Sequence, residues 1–303
     1  MKRMVILNPK ARQGTAEQLV DRLRLRLKPG TERFEVQSTR YRGHATQLAR
    51  EALKAGFDHL IAVGGDGTFS EMINGFYEAG QPLNLEAMAS PLMLGTGCDF
   101  GRSYGLPKGL TDQLNRLTQG REYRIDLGKV TLGEQVRYFV NIGGFGLSGQ
   151  VNQILEQQKG SLGFLSGKAA FFLASLRGIL TGKNAKVRLV IDGGPPVEMT
   201  SKLVALANGQ FFGGGMWIAP QASNEDGWLD LVVLGDLSAW ETLRQFPLVY
   251  QGLHLGRPGV LCQKITVLEA SSEEPVWVDL DGEVVGQLPA RFEVVRQGLK
   301  IWV

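Results

Sequence analysis

Four short stretches hold the residues best able to do chemistry. The first is Gly64-Gly65-Asp66-Gly67-Thr68, three glycines interleaved with a carboxylate and a hydroxyl. Glycine lets the backbone approach a ligand with no Cβ in the way and reaches positive φ. An apolar run at 60–63 precedes it, and Phe69, Met72, Ile73 and Phe76 follow at helical spacing, so the order is strand, glycine turn, helix. A helix N-terminus there offers unpaired N–H groups to an anion. Phosphate is the expected guest, and Asp66 stands where it could face the metal that accompanies a nucleotide. Turns of this shape also occur in α/β proteins without nucleotides, and this one is neither a GxxxxGK[ST] loop nor a GxGxxG fingerprint.

The second stretch, GTGCDFGR at 95–102, follows another apolar run at 91–94. By itself it also reads as a surface turn of small residues, yet two such loops at one sheet edge exceed what a fold needs. The third, Ser223 to Asp230, contains the acidic turn Asn224-Glu225-Asp226-Gly227, an ordinary prelude to a strand. The fourth is VDLDGE, where Asp279 and Asp281 share a face at period two and Gly282 turns the chain to bring Glu283 near. Three carboxylates within five residues are costly unless a cation or solvent is present, so a solvated hairpin turn is the plain alternative. Transfer of a phosphoryl group to a hydroxyl needs a phosphate cradle, a divalent ion and a base. These stretches contain the residue types for all three.

Elements of two kinds must position them. Strands at 4–7, 34–38, 60–63 and 91–94 alternate with a helix whose apolar face is Leu19, Val20, Leu23 and Leu27 and with helices at 45–54, 69–76 and 110–117. The first helix opens on a capping box of Thr15 and Gln18. That alternation predicts a parallel sheet covered on both faces, with ligands beyond the carboxyl ends of its strands. From residue 125 onward the pattern turns to strands, at 138–142, 187–191, 203–207, 228–234, 265–268, 276–280 and 291–295. Only two helices interrupt them, at 162–180 and 239–251. The expected class is α/β: residues 1–125 as a three-layer parallel-sheet nucleotide-binding domain, residues 126–303 as an antiparallel β-sandwich.

Composition narrows the function. The chain has 303 residues, 33 basic and 30 acidic, for a net charge of +3, which is too balanced for nucleic-acid binding. Two cysteines, Cys98 and Cys262, make no disulfide framework or zinc site and fit a reducing, cytoplasmic setting. His44, His59 and His254 read as surface or packing residues, so Cys98 has no evident partner as a nucleophile. The opening MKRMVILNPK has no signal-peptide pattern. The most apolar region, 164–180, is interrupted by Lys168 and Arg177 and falls short of the ~20 residues that span a bilayer. Phe164, Leu165, Phe171, Phe172, Leu173, Leu176, Ile179 and Leu180 there exceed what one buried face requires. Reversible contact with an anionic membrane surface is therefore expected, with a helix buried on most sides as the alternative. A homodimer is left open.

GGDGT with Glu71 and Asn74-Gly75, GTGCDFGR, the run from Asn208 to Asp230 and VDLDGE together resemble the bacterial lipid kinases related to diacylglycerol kinases, over essentially the whole chain. The resemblance implies ATP as phosphoryl donor, Mg²⁺, and a lipid alcohol as acceptor. It implies nucleotide contacts from Asn8, Thr39, Gly64, Gly65, Asp66, Gly67, Thr68, Phe69, Ser70 and Thr96, with Asn8-Pro9 and Gly14 forming the opening element. It implies magnesium on the backbone oxygens of Ser223 and Trp228 with the Asp226 carboxylate. It implies Glu283 as proton acceptor, with Asp281 a supporting acid by position. Cys98 and Gly101 depart from the family's Asn and Ala. The competing readings are an NAD kinase-like enzyme, which shares GGDGT, and a non-catalytic nucleotide- or lipid-binding protein of the same fold.

Overall fold

The computed structural model describes residues 1–11, 16–27, 32–95, 97–157 and 167–303. Gly14, Thr15, Thr96, Phe164 and Leu165 lie outside the described residues. The chain divides into two compact units, Met1–Asp126 with Arg296–Val303, and Leu127–Val295.

In the first unit the strands Lys2–Leu7, Arg33–Ser38, His59–Gly64 and Met88–Met93 pair in parallel in the spatial order second, first, third, fourth. Each is linked onward through a helix, Ala16–Leu27, His44–Lys54 and Asp66–Asn74 in turn. Strand residues alternate between two buried faces. Val5, Leu7, Ile61 and Val63 cluster with Leu19, Leu23 and Leu27 of the first helix and Leu114 and Leu117 of the helix Leu110–Gln119. Met4, Ile6, Leu60 and Ala62 are equally buried at the intervening positions, toward the other two helices. Apolar residues on both faces of every central strand are what a covered parallel sheet requires.

The sheet is mixed rather than wholly parallel, which corrects the expected class. The last strand, Ala290–Trp302, is far longer than the 291–295 read from sequence. Its end pairs in parallel with the fourth strand, Lys300 beside Met88, while Val267–Ser271 runs antiparallel along its beginning. A final strand that returns to the first sheet leaves no local signal, because its partner lies some two hundred residues earlier in the chain.

The second unit is built of two antiparallel layers. One holds, in order, Val260–Ile265, Leu229–Leu234, Leu203–Ala207, Ile142–Gly146, Trp277–Leu280 and Glu283–Gln287. The other includes Val197–Ser201, Ala185–Ile191 and Val267–Ser271. Between the layers, Val204, Leu206, Leu229, Leu231 and Phe145 meet Val187, Leu189, Leu268 and Phe292. The residues in between, Ala205, Ala207, Val232 and Leu234, face away and pack with Phe171 and Phe246 of the helices Gly167–Thr181 and Ala239–Val249. Period-two alternation decides which residue serves which core.

Two strands read as continuous are in fact broken, and an aspartate stands at each break. Residues 138–142 split into Gln135–Phe139 and Ile142–Gly146, because the N–H groups of Val140, Asn141 and Ile142 all donate to the Asp281 carboxylate at 2.9–3.1 Å. Residues 265–268 split at Thr266, whose N–H and hydroxyl, with the N–H of Val267, donate to Asp192 Oδ1 at 2.7–2.8 Å. A helix, Leu147–Gln157, was not visible in the sequence. Its buried face includes Gly149 and Asn152, which hide the apolar period.

Candidate active site

The strand order makes a switch point between Lys2–Leu7 and His59–Gly64, the place where open α/β sheets bind ligands. Asn8 leaves the first of these strands and Gly64–Thr68 the second. Asn8 donates its N–H to Val63 O at 2.9 Å, and its Nδ2 to Thr68 Oγ1 at 3.1 Å. Thr39 likewise continues its strand, its N–H reaching Leu7 O at 2.8 Å. Gly64 has no room for a side chain, since a Cβ there would stand 2.4 Å from Thr68 Oγ1. Gly67 is exposed, with nothing within 4 Å of a Cβ position. Ser70 is half-buried, and its carbonyl accepts from Asn74 Nδ2. Phe69 is buried against Phe100 with ring centroids 4.7 Å apart, and its N–H donates to Gly65 O, so its side chain serves the core.

The two glycine loops are locked together. Leu94 donates to Gly64 O at 2.6 Å, and a Cβ on Gly95 would lie 2.9 Å from Gly65 Cα. Asp66 completes the junction: its two oxygens accept from the N–H groups of Asp99 and Phe100, each at 3.1 Å, at the start of the short helix Asp99–Ser103. Burial pushes the Asp66 carboxyl above its ordinary range, against the N–H groups that favour its charge. Asp66 thus braces one loop with the other. Arg102 sits 3.3 Å from Asp99 and brings a cation to the same helix.

Cys98 precedes that helix in the left-handed region, φ 52°, and its thiol donates to Gly95 O at 3.0 Å. Burial, with the charges of Asp66 and Asp99, pushes the thiol up to about 11, so it stays protonated at neutral pH. No histidine serves it. His59 is buried with Nε2 2.8 Å from Ser90 Oγ, His254 is buried 3.0 Å from Ile218 O, and His44 accepts from Arg40 N.

In the second unit VDLDGE forms a two-residue hairpin. Asp281 and Gly282 have φ 47° and 86°, and Leu280 pairs with Glu283 across the turn. Both central residues at positive φ is the geometry that Asp-Gly favours. Asp281 is committed to three backbone N–H groups, as described above. Asp279 is buried, accepting from Ser148 Oγ at 2.5 Å and Asn152 Nδ2 at 3.0 Å. Burial first, and then the Asp281 charge, push it up to about 7. Glu283, like Asp281, is half-buried, and Arg137 Nη2 donates to its Oε2 at 2.8 Å. Arg137, Ser148 and Asn152 were not legible as site residues, for they stand 146, 131 and 127 positions from the groups they hold.

At the acidic turn, Glu225 donates to Ser223 Oγ at 3.4 Å and Trp228 N to Asp226 Oδ1 at 3.1 Å. Lys264 donates to Asp226 Oδ2. Asp230 is buried nearby, and its Oδ2 has no hydrogen-bond partner among the described residues. Among the described residues no three His, Cys, Asp or Glu side chains gather as a metal cage. A buried, orphaned carboxylate oxygen close enough to Asp226 to feel its charge is nonetheless the oxygen chemistry that a hard cation takes.

Residues 2–130 match the diacylglycerol kinase catalytic domain family, and residues 142–303 match the YegS C-terminal NAD kinase beta sandwich-like domain. The chain is 26% identical over 299 residues to a diacylglycerol kinase of Staphylococcus carnosus, covering 98% of this chain and 94% of that protein. It is 29% identical over 252 residues to one of Bacillus subtilis, covering 82% and 79%. A crystal structure of a diacylglycerol kinase from Bacillus anthracis superposes with a TM-score of 0.72 at 21% identity, over 99% of this chain and 96% of that one. An NAD kinase from Archaeoglobus fulgidus in complex with ATP reaches 0.55 at 13% identity, over 99% and 93%, and shares the fold alone. The chain therefore belongs to the family of the YegS C-terminal NAD kinase beta sandwich-like domain, whose model covers more than half of it, and is a homologue of the diacylglycerol kinases, whose catalytic domain residues 2–130 match.

Proposed function

We propose that this protein transfers the γ-phosphoryl group of ATP to the hydroxyl of a lipid alcohol, diacylglycerol or a similar molecule. The observation that carries the reading is the pair of interlocked glycine loops at the switch point of the parallel sheet. They present backbone at close range, and Asn8, Thr39 and Gly67 line the same strand ends. Without a P-loop lysine, N–H groups and Arg102 supply the electrostatics. Asp66 contributes by holding the second loop to the first. Magnesium bound with the nucleotide would neutralise charge on the phosphate oxygens, and the Asp226 turn would hold a second, structural ion. Glu283 is the base, the role the resemblance gives it: unlike Asp279 it is not buried, and unlike Asp281 its carboxylate is not taken up by three backbone N–H groups that shape the turn.

Incubation with labelled ATP and a mixed lipid extract identifies the acceptor. Binding of Mg-ATP with no labelled lipid would instead indicate a non-catalytic nucleotide-binding protein. With the acceptor in hand, Glu283→Gln should lower kcat by about 10²- to 10⁴-fold, the usual worth of general base catalysis. KM for ATP should barely move, because uniform binding is untouched. A variant retaining more than about a tenth of the wild-type kcat removes Glu283 from the mechanism.

A further inference from the structure

The Asp226 turn carries an ion pair that a metal site would not be expected to tolerate. Leu229–Leu234 and Val260–Ile265 are antiparallel neighbours, and their register sets Asp230 opposite Lys264. Asp230 is 3% exposed and its Oδ2 is without a partner among the described residues. Asp226 has one oxygen on Trp228 N and the other on the Lys264 ammonium. Among the described residues, two carboxylates thus stand against the one ammonium of Lys264. A buried carboxylate oxygen with no donor is costly, and a divalent cation would answer both carboxylates where lysine answers one.

We infer that Lys264 is a built-in competitor for this cation: its ammonium holds the Asp226 oxygen that a divalent ion would take, and the Asp230 carboxylate supplies the second negative charge that favours the ion. The inference rests on the metal reading of the Asp226 turn. Lys264 is 44% exposed and Asp226 26%, so the ammonium can swing into solvent when displaced, whereas Asp230 is fixed in its strand. A pair that open is weak, so the competition is one of degree. The lysine keeps the turn ordered at low magnesium and raises the concentration at which the ion binds.

The test is thermal unfolding of the full chain, freed of metal with EDTA and titrated with MgCl₂ against NaCl of matched ionic strength. Lys264→Met keeps the length and apolar stem of the side chain but removes the charge, and Lys264→Arg keeps the charge. Magnesium should raise Tm in the wild type, with the half-saturating concentration at least about threefold lower in Lys264→Met and unchanged in Lys264→Arg. Asp230→Asn should raise that concentration. Equal half-saturation in wild type and Lys264→Met overturns the competition while leaving the metal site standing. Absence of a magnesium-dependent rise in every variant overturns the metal reading and the competition with it.

Discussion

At the scale of single residues, backbone strain and burial set two measurable consequences. Cys98 holds φ 52°, a conformation that costs most L-residues about 1–2 kcal/mol and that Asn tolerates better through its short polar side chain. Cys98→Asn should therefore raise Tm, recovering up to about 1 kcal/mol, with the amide replacing the thiol as donor to Gly95 O. A lower Tm in that variant would contradict the strain argument. Asp279 gives a pH signature. Its carboxyl is pushed from 3.8 up to about 7 in the folded chain, so the native state binds more protons than the unfolded one between those values. Stability should fall as pH rises from about 4 to about 7 and then level off, which urea unfolding at several pH values will show. Asp279→Asn can still accept from Asn152 and donate to Ser148, and it should flatten that decline. An unchanged slope would place the titrating group elsewhere.

At the scale of elements, the glycine loops separate folding from binding. Gly64 and Gly65 are adjacent but differ in what surrounds them. A Cβ on Gly64 runs into Thr68 at 2.4–3.1 Å, so Gly64→Ala should destabilise the chain by the cost of an overpacked core site, about 1–3 kcal/mol. Gly65 has φ −104° and ψ −172°, extended backbone that suits a β-branched residue, and a Cβ would stand 3.6 Å from Gly95 Cα. Gly65→Val should leave Tm nearly unchanged while its methyl groups obstruct the backbone offered to phosphate. Calorimetric titration with Mg-ATP should show weakened binding, and wild-type affinity in that variant would remove the cradle. The hairpin at Asp281-Gly282 follows the same logic, since the carboxylate that shapes the turn also ends one strand and starts the next in Gln135–Phe139 and Ile142–Gly146.

At the scale of the whole molecule, a lipid acceptor implies work at a membrane surface. No helix among the described residues is long and apolar enough to cross one. The helix Gly167–Thr181 buries Ala174 and Ile179 yet leaves Phe172, Leu173 and Leu180 exposed, with Arg177 on the exposed side. Phe172 meets Phe246 of the helix Ala239–Val249 at 6.1 Å, and that helix exposes Trp240 and Arg244. Aromatic and aliphatic side chains beside arginines suit the interface of an anionic bilayer. The protein should co-sediment with anionic vesicles at low salt and be partly released at high salt as the arginines are screened. Phe172→Ser with Leu173→Ser should weaken that binding, and no binding at low salt would confine these residues to packing.

The sequence by itself determined what depends on near neighbours. Strand–glycine–helix order at 60–76, apolar alternation within strands and the Asp-Gly turn are local, because periodicity and φ preference act over a few residues. They were enough to place Asn8, Thr39 and Gly64–Thr68 at one end of the sheet. Tertiary structure alone decided the partners. That Asp66 would bind the N–H groups of Asp99 and Phe100, that Arg137 would hold Glu283, and that Lys264 would reach Asp226 are contacts across 33 to 146 positions. The breaks at Val140 and Thr266 belong with them. Both stretches carry strand-forming residues, and what ends the strand is a carboxylate from elsewhere that takes the N–H groups the ladder would use. The mixed sheet has the same origin, since a strand's direction is fixed by the neighbour it finds, and residues 300–301 find theirs at Met88 and Ala89, far earlier in the chain.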